Sequence, residues 1–281
     1  MAMTRVAMLV VVAMMAFAAN SVLCRLALAQ TAVDPASFTL VRLASGAASL
    51  GLIALFRRQG LAGSWRGGAA LLAYATAFSF AYVSLPAGTG ALLLFGAVQA
   101  TMITAGLLRG EHPLPVQWFG LGLALAGLAL LLAPGVSAPP LLGAVLMLGS
   151  GVAWGIYSIL GRAAGDPIAV NAGNFLRAAP LALLPALGMA SADAIRLDDV
   201  GLIYAALSGA VASGMGYALW YAVLPHLTAA RAASVQLSVP VITALGAVAM
   251  LGEDISLRLM LSSAAVLGGI ALVIAGRRKM R

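Results

Sequence analysis

YVSLPAGTGALLLFGAVQATMITAGLLRGEHPLPVQWFGLGLALAG, residues 82–127, returns in altered form 139 to 142 positions further along the chain. Tyr82, Leu85 and Pro86 match Tyr221, Leu224 and Pro225 at one offset. Gly110, Glu111 and Gly127 match Gly252, Glu253 and Gly269 after a net three-residue insertion. Upstream, Phe17, Ser21, Leu23 and Arg25 are spaced as Trp154, Ser158, Leu160 and Arg162 are. Asp34-Pro35 reappears as Asp166-Pro167, and Arg42 as Arg177 with a small gap. Self-similarity of this kind reads as a duplicated unit, with residues 1–136 as the first repeat and 137–281 as the second.

The chain is 63% apolar with only 9% charged residues, which lies outside the soluble range and excludes a water-soluble enzyme or regulator. A helix satisfies its own backbone and crosses the hydrocarbon core in about 20 apolar residues, so an all-α membrane protein is expected. Ten apolar runs qualify: 6–28, 35–56, 67–84, 88–108, 114–133, 140–163, 167–188, 200–222, 229–250 and 256–276. Five helices per repeat is an odd number, so the two copies would enter the membrane from opposite sides. The expected architecture is two inverted five-helix repeats with a site at their interface.

The net charge of +8 is spread over short loops and the C-terminal RRKMR, which sets topology and offers no surface for nucleic acid. One set of loop ends holds Arg5, Arg57, Arg58, Arg66, Arg109, Arg162, Arg231 and the C-terminal cluster, against Arg196 and Arg258 on the other, so both termini are expected in the cytoplasm. Arg5, an apolar run and Ala27-Leu28-Ala29 before Gln30 also have the form of a cleavable signal peptide. The counterpart of this segment in the second repeat, where no signal could lie, favours a retained helix. The lone Cys24 forms no internal disulfide.

All eight acidic residues, Asp34, Glu111, Asp166, Asp193, Asp198, Asp199, Glu253 and Asp254, fall at loops or helix ends. Ion-driven carriers place an ionisable group in the pathway, so facilitated diffusion or exchange is the expectation. There is no HExxH, no intramembrane Asp pair and no Ser/His pairing at helical spacing, so an enzyme is not expected. Nothing calls for a metal or cofactor.

Arg42 and Arg177 fall within spans, where burial costs at least about 2.5 kcal/mol. Each is read either as an anion contact or as a side chain bound to helix-end carbonyls; Arg25, near a helix end, is read as the latter. Trp154 lies too deep for an interfacial belt, with Tyr157 almost one turn on. Phe17 and Asn20 hold the matching positions of the first repeat. Convergence of these four would line a cavity for an amphipathic organic molecule, with ordinary core packing as the competing reading. Tyr82, Gln99, Asn174 and Ser238 complete the candidate substrate contacts. Pro180, Pro185 and Pro240 each remove a helical hydrogen bond and are candidate hinges.

Ten spans in a five-plus-five duplication, each half ending in Gly-Glu and then Gly about sixteen residues later, resemble the drug/metabolite transporter superfamily, specifically its EamA-type carriers. Within it the chain is similar to bacterial amino-acid exporters, most nearly the YddG-type aromatic amino-acid exporters. The resemblance implies a bacterial inner-membrane carrier that exports amino acids or related metabolites by alternating access, and a monomer working alone in the bilayer. Small multidrug carriers of the same superfamily use an intramembrane Glu that this sequence lacks. Sugar-phosphate and nucleotide-sugar carriers would favour basic residues such as Arg42 and Arg177. A non-transporting membrane scaffold is the remaining alternative.

Overall fold

The two Asp-Pro dipeptides of the duplication start two helices in the same way. Asp34 accepts from the backbone N–H groups of Ala36 and Ser37, Asp166 from those of Ile168 and Ala169, and in both cases proline occupies the first helical position. Such a cap satisfies donors that a helix start leaves open, and the fixed φ of proline suits that place. Asp34 also holds the backbone N–H of Arg196, and Asp166 holds the Gln59 side chain.

A computed structural model describes residues 3–108, 110, 114–135, 138–161, 165–192, 194–223, 226–227 and 234–277. Its helices are α1 (Met3–Gln30), α2 (Pro35–Phe56), α3 (Trp65–Tyr82), α4 (Ala87–Leu108), α5 (Pro115–Leu132), α6 (Leu141–Gly161), α7 (Pro167–Leu181), α8 (Leu183–Ser191), α9 (Asp199–Leu207), α10 (Gly216–Val223), α11 (Ser238–Leu251) and α12 (Leu257–Arg277). A π-helical segment, Ser208–Met215, joins α9 to α10 in one column, and α7 runs into α8. The result is ten helical columns, with no strand among the described residues. Eight are long and apolar enough to cross a membrane. Glu111, Arg162 and Asp193 lie outside the described residues.

Three breaks depart from the expected uninterrupted spans. Between α7 and α8 the chain turns at Ala182, because Pro185 cannot donate to the carbonyl of Leu181 four residues back and its ring crowds that carbonyl. Pro240 likewise stands four residues after Gln236, and the chain turns at Leu237 before α11. Pro240 is therefore in the first turn of α11, not in mid-span. Pro180 sits inside α7 near its end. The π segment, SGAVASGM, was not anticipated; such insertions widen a helix and leave carbonyls out of register.

Packing repeats between halves. α3 packs on α6 as the α9–α10 column packs on α1. α4 packs on α6 as α11 packs on α1, and α3 packs on α7 as α9 and the π segment pack on α2. The pairs α2–α7, α4–α11 and α5–α12 join corresponding helices. Exchanging residues 1–136 with 137–281 maps this set of contacts onto itself.

Lipid tails are as apolar as leucine, so close backbone approach at small residues supplies the attraction between such helices. A Cβ on Gly120 of α5 would stand 2.5 Å from the Gly269 carbonyl oxygen on α12, and one on Gly127 would stand 2.8 Å from Ala265 Cβ. The repeated Gly127 and Gly269 are thus the contact seam of α5 and α12. The Gly151/Gly155 pair of α6 does the same on α4, with Leu94, Ala97 and Thr101 in the space a side chain would take.

One ion pair joins the halves among the described residues. Arg25 Nε donates to Glu253 Oε1 at 2.9 Å, while Arg25 Nη1 donates to the carbonyls of Tyr82 and Val83 at 2.9 and 3.0 Å. Glu253 Oε2 accepts from the Ala87 N–H at 2.7 Å. The pair therefore caps the end of α3 and the start of α4 simultaneously, with each side chain 17% exposed. Binding of Arg25 to helix-end carbonyls agrees with the sequence reading.

Gly269→Ala should lower the midpoint of thermal unfolding in detergent, since overpacking against backbone costs about 1–3 kcal/mol. Gly268→Ala, which meets nothing within 4 Å, should leave the midpoint unchanged or raised. Glu253→Gln should lower it too, by the about 1.5–3 kcal/mol typical of a hydrogen bond to a charged group, whereas Asp254→Asn on the exposed neighbour should not.

Candidate functional site

A cavity lies where α1, α3, α4, α6 and the α9–α10 column converge. Its walls are Phe17, Asn20, Ser21, Tyr74, Leu94, Phe95, Trp154, Ala212, Ser213, Tyr217 and Gln236. The first half contributes Phe17 to Phe95, and the second half contributes Trp154 to Gln236. No carboxylate is among them.

Rings supply most of the wall. Trp154 lies 4.8 Å from Tyr74, 5.2 Å from Tyr217 and 5.3 Å from Tyr157 between ring centroids, and Phe17 meets Tyr217 edge-on at 5.8 Å. Tyr74 continues through Phe78 to Tyr82. The arrangement crosses the duplication: the aromatic residue of α1 packs on the α9–α10 column, and its counterpart in α6 packs on α3. Offset and edge contacts of this kind favour the quadrupoles of the rings and hold them in place.

Polar bonds tie the wall together. Ser208 in the π segment donates to Asn20 Oδ1 at 2.7 Å, and Asn20 Nδ2 donates to the Tyr74 hydroxyl at 3.2 Å. Arg42 Nη2 donates to the same hydroxyl at 2.9 Å, with its guanidinium 5.1 Å from the Tyr74 ring and 4.8 Å from that of Phe78. The free space within is about 30 Å³. On this measure one water needs about 10–15 Å³, so the described state holds a contracted cavity, too small for an amino acid.

The expected site residues separate into two groups. Phe17, Asn20 and Trp154 line the cavity as the duplication suggests. Tyr157 stands behind Trp154, its hydroxyl 2.5 Å from Asn171 Oδ1. Tyr82 is fully buried at the end of α3, its hydroxyl donating to the Ala87 carbonyl at 3.3 Å, and is not among the lining residues. Asn174 accepts from the backbone N–H of Ser64 at 2.9 Å and so holds the α2–α3 loop. Ser238 donates to the Val235 carbonyl within its own chain segment, and Gln99 lies on α4 outside the lining set.

The two arginines do different work. Arg177 Nη1 binds the carbonyls of Ala62 and Gly173, each at 2.8 Å, which matches the carbonyl reading. Arg42 binds no carbonyl through its side chain; its Nε and Nη1 have no partner. Tyr74, Tyr217, Ser213 and Gln236 line the cavity without being among the candidate contacts that the sequence singles out. What singles them out is their meeting across helices, which spacing along one helix does not reveal.

Ten helical columns packed on small residues around an aromatic-walled cavity point to a multi-pass membrane transporter. The chain belongs to the EamA-like transporter family, whose profile matches twice, over residues 4–133 and 141–275. It is 58% identical over 276 residues to an uncharacterized protein of Pseudomonas aeruginosa, a match covering 97% of this chain and 96% of the other. It is also similar to a solved crystal structure with a TM-score of 0.64, covering 93% of this chain and 97% of that one at 22% identity, which shows a shared fold.

Asn20→Ala should lower the thermal midpoint in detergent, because it leaves the buried Ser208 hydroxyl without its acceptor, at a cost of about 1–3 kcal/mol. An unchanged midpoint would mean that this bond does not hold the two halves.

Proposed function

We propose that this protein is a carrier that exports neutral amino acids, aromatic ones included, or closely related metabolites, across a bacterial inner membrane by alternating access. The observation that carries this reading is the aromatic-walled cavity with Asn20, Ser213 and Gln236 as its polar groups. Rings of Trp154, Phe17, Tyr74 and Tyr217 suit an apolar or aromatic side chain, and the polar groups suit an amino-acid head.

Alternating access draws support from the contact pattern that survives exchange of the halves, which is what two inverted five-helix repeats produce. A contracted cavity fits one state of such a cycle. The breaks at Ala182 and Leu237, set by Pro185 and Pro240, and the π segment are the places where the columns can bend. Absence of a carboxylate from the cavity wall favours facilitated transport over proton coupling. The distribution of arginines favours both termini in the cytoplasm, and the ion pair and seams within one chain suit a monomer.

A second reading is kept by Arg42 alone: a phosphorylated anion as cargo. Arg177 supports it less, because its Nη1 is taken by carbonyls.

Uptake of radiolabelled amino acids into proteoliposomes, with and without an imposed proton gradient, tests the proposal. Saturable uptake that ignores the gradient is expected. Trp154→Ala should reduce apparent affinity about tenfold, the equivalent of roughly 1.4 kcal/mol of lost ring contact. Concentrative uptake abolished by an uncoupler would sink the facilitative part, and uptake of phosphorylated anions without amino acids would replace the cargo.

A further inference from the structure

Arg42 is 1% exposed and keeps its charge, since a guanidinium does not deprotonate in proteins. The ion pair of Arg25 with Glu253 is the only one among the described residues, so no carboxylate among them neutralises Arg42. Two of its nitrogens, Nε and Nη1, have no hydrogen-bond partner. A buried cation left in that condition is costly, and two ring faces return only part of the cost. Its position is directly behind the cavity wall, with Tyr74 between.

The Tyr74 oxygen receives two hydrogen bonds, from Arg42 Nη2 and from Asn20 Nδ2. Both partner atoms are nitrogens that only donate, so the Tyr74 proton points in a third direction, and Tyr74 is a lining residue of the cavity. A hydroxyl whose oxygen accepts from a cation is polarised into a stronger donor. Ser213, 1% exposed and lining the same cavity, has a hydroxyl with no partner.

We propose that the Tyr74 and Ser213 hydroxyls form an anion subsite that binds the carboxylate of the transported molecule, with Arg42 acting through Tyr74 as a positioning residue that supplies the positive charge. This rests on the amino-acid carrier reading for the identity of the cargo. A carboxylate arriving there takes hydrogen bonds from the two hydroxyls and offsets the unpaired charge of Arg42. The cationic amine of the same molecule is left to the rest of the wall, where the side-chain oxygen of Gln236 can accept from it. Selection against amines without an acidic group follows, because such a cation would approach Arg42 with nothing to offset it.

The test is titration of the purified full-length protein by tryptophan fluorescence with phenylalanine, phenylacetate and phenylalaninamide, which share the ring and differ in carboxylate and amine. Phenylalanine and phenylacetate should bind about tenfold or more tighter than phenylalaninamide, the size expected of a charge-assisted bond. Tyr74→Phe should erase that preference, read as the ratio of the carboxylate ligands' affinity to that of the amide. Ser213→Ala, which leaves the bonds among Arg42, Tyr74 and Asn20 intact, should reduce it and serves if Tyr74→Phe fails to fold. Arg42→Gln should lose the preference and Arg42→Lys should recover most of it, a rescue that mere packing would not give. If the wild type transports no amino acid but keeps a carboxylate preference that depends on Tyr74 or Ser213, the subsite stands and the cargo is another carboxylate. If amino acids are transported but the preference is missing, or is undiminished by Tyr74→Phe or by Ser213→Ala, the subsite is overturned and the carrier reading remains.

Discussion

The hydroxyl of Tyr74 is where polar bonds join α1, α2 and α3, and Asn20 carries the connection to Ser208 in the second half. In a medium without water each of these groups must find its partner inside the protein. The wall of the cavity is held by that requirement as much as by packing. Arg42 is the extreme case, because its charge persists and its remaining nitrogens have no protein partner. The positions of α2 and α3, and with them the ring of Tyr74, depend on satisfying what can be satisfied there.

Around this centre the bundle combines close seams with places that can give. At α5–α12 and α4–α6, glycines bring backbones so near that no side chain fits between them. The corresponding helices α5 and α12 meet at the first seam, and the second joins α4 of one half to α6 of the other. Helical regularity is lost elsewhere: at the turns at Ala182 and Leu237, where proline removes a helical bond, and in the π segment that carries Ser208 and Ser213. Ser213, which lines the cavity, and Ser208, which holds Asn20, therefore sit on the least regular helix of the second half. A carrier has reason to place them there, since a segment with bonds out of register can shift its side chains at low cost. At one end, Arg25 and Glu253 tie α1, the α3–α4 turn and the loop after α11 together.

Much of the site was legible in the chain because duplication marks it. Phe17 and Trp154 stand at the same place in each repeat, and both line the cavity. Asp34-Pro35 and Asp166-Pro167 match because each must begin a helix. Arg42 and Arg177 also match, yet the first faces Tyr74 and the second holds carbonyls, so correspondence in sequence did not carry over to role. Tyr82, Asn174 and Ser238 were attractive as polar or aromatic groups within apolar spans. Each instead serves a local need: the Ala87 carbonyl, the Ser64 N–H and the Val235 carbonyl. A polar group in an apolar helix signals only that a partner exists, and the nearest backbone group is often that partner.

Composition and periodicity by themselves determined that this chain is a bundle of apolar helices, how many columns it has, and that it is built twice. Those properties follow from local requirements: backbone groups bond within each helix, and a span must match the thickness of the hydrocarbon core. Tertiary structure alone decided which rings face one another, that Arg42 stands behind Tyr74 without a counter-charge among the described residues, and that Ser213 lines the same cavity from a π-helical turn. These depend on contacts between residues as far apart as Asn20 and Ser208. Side-chain spacing along one helix defines a face, but only the packing of helices defines what that face meets.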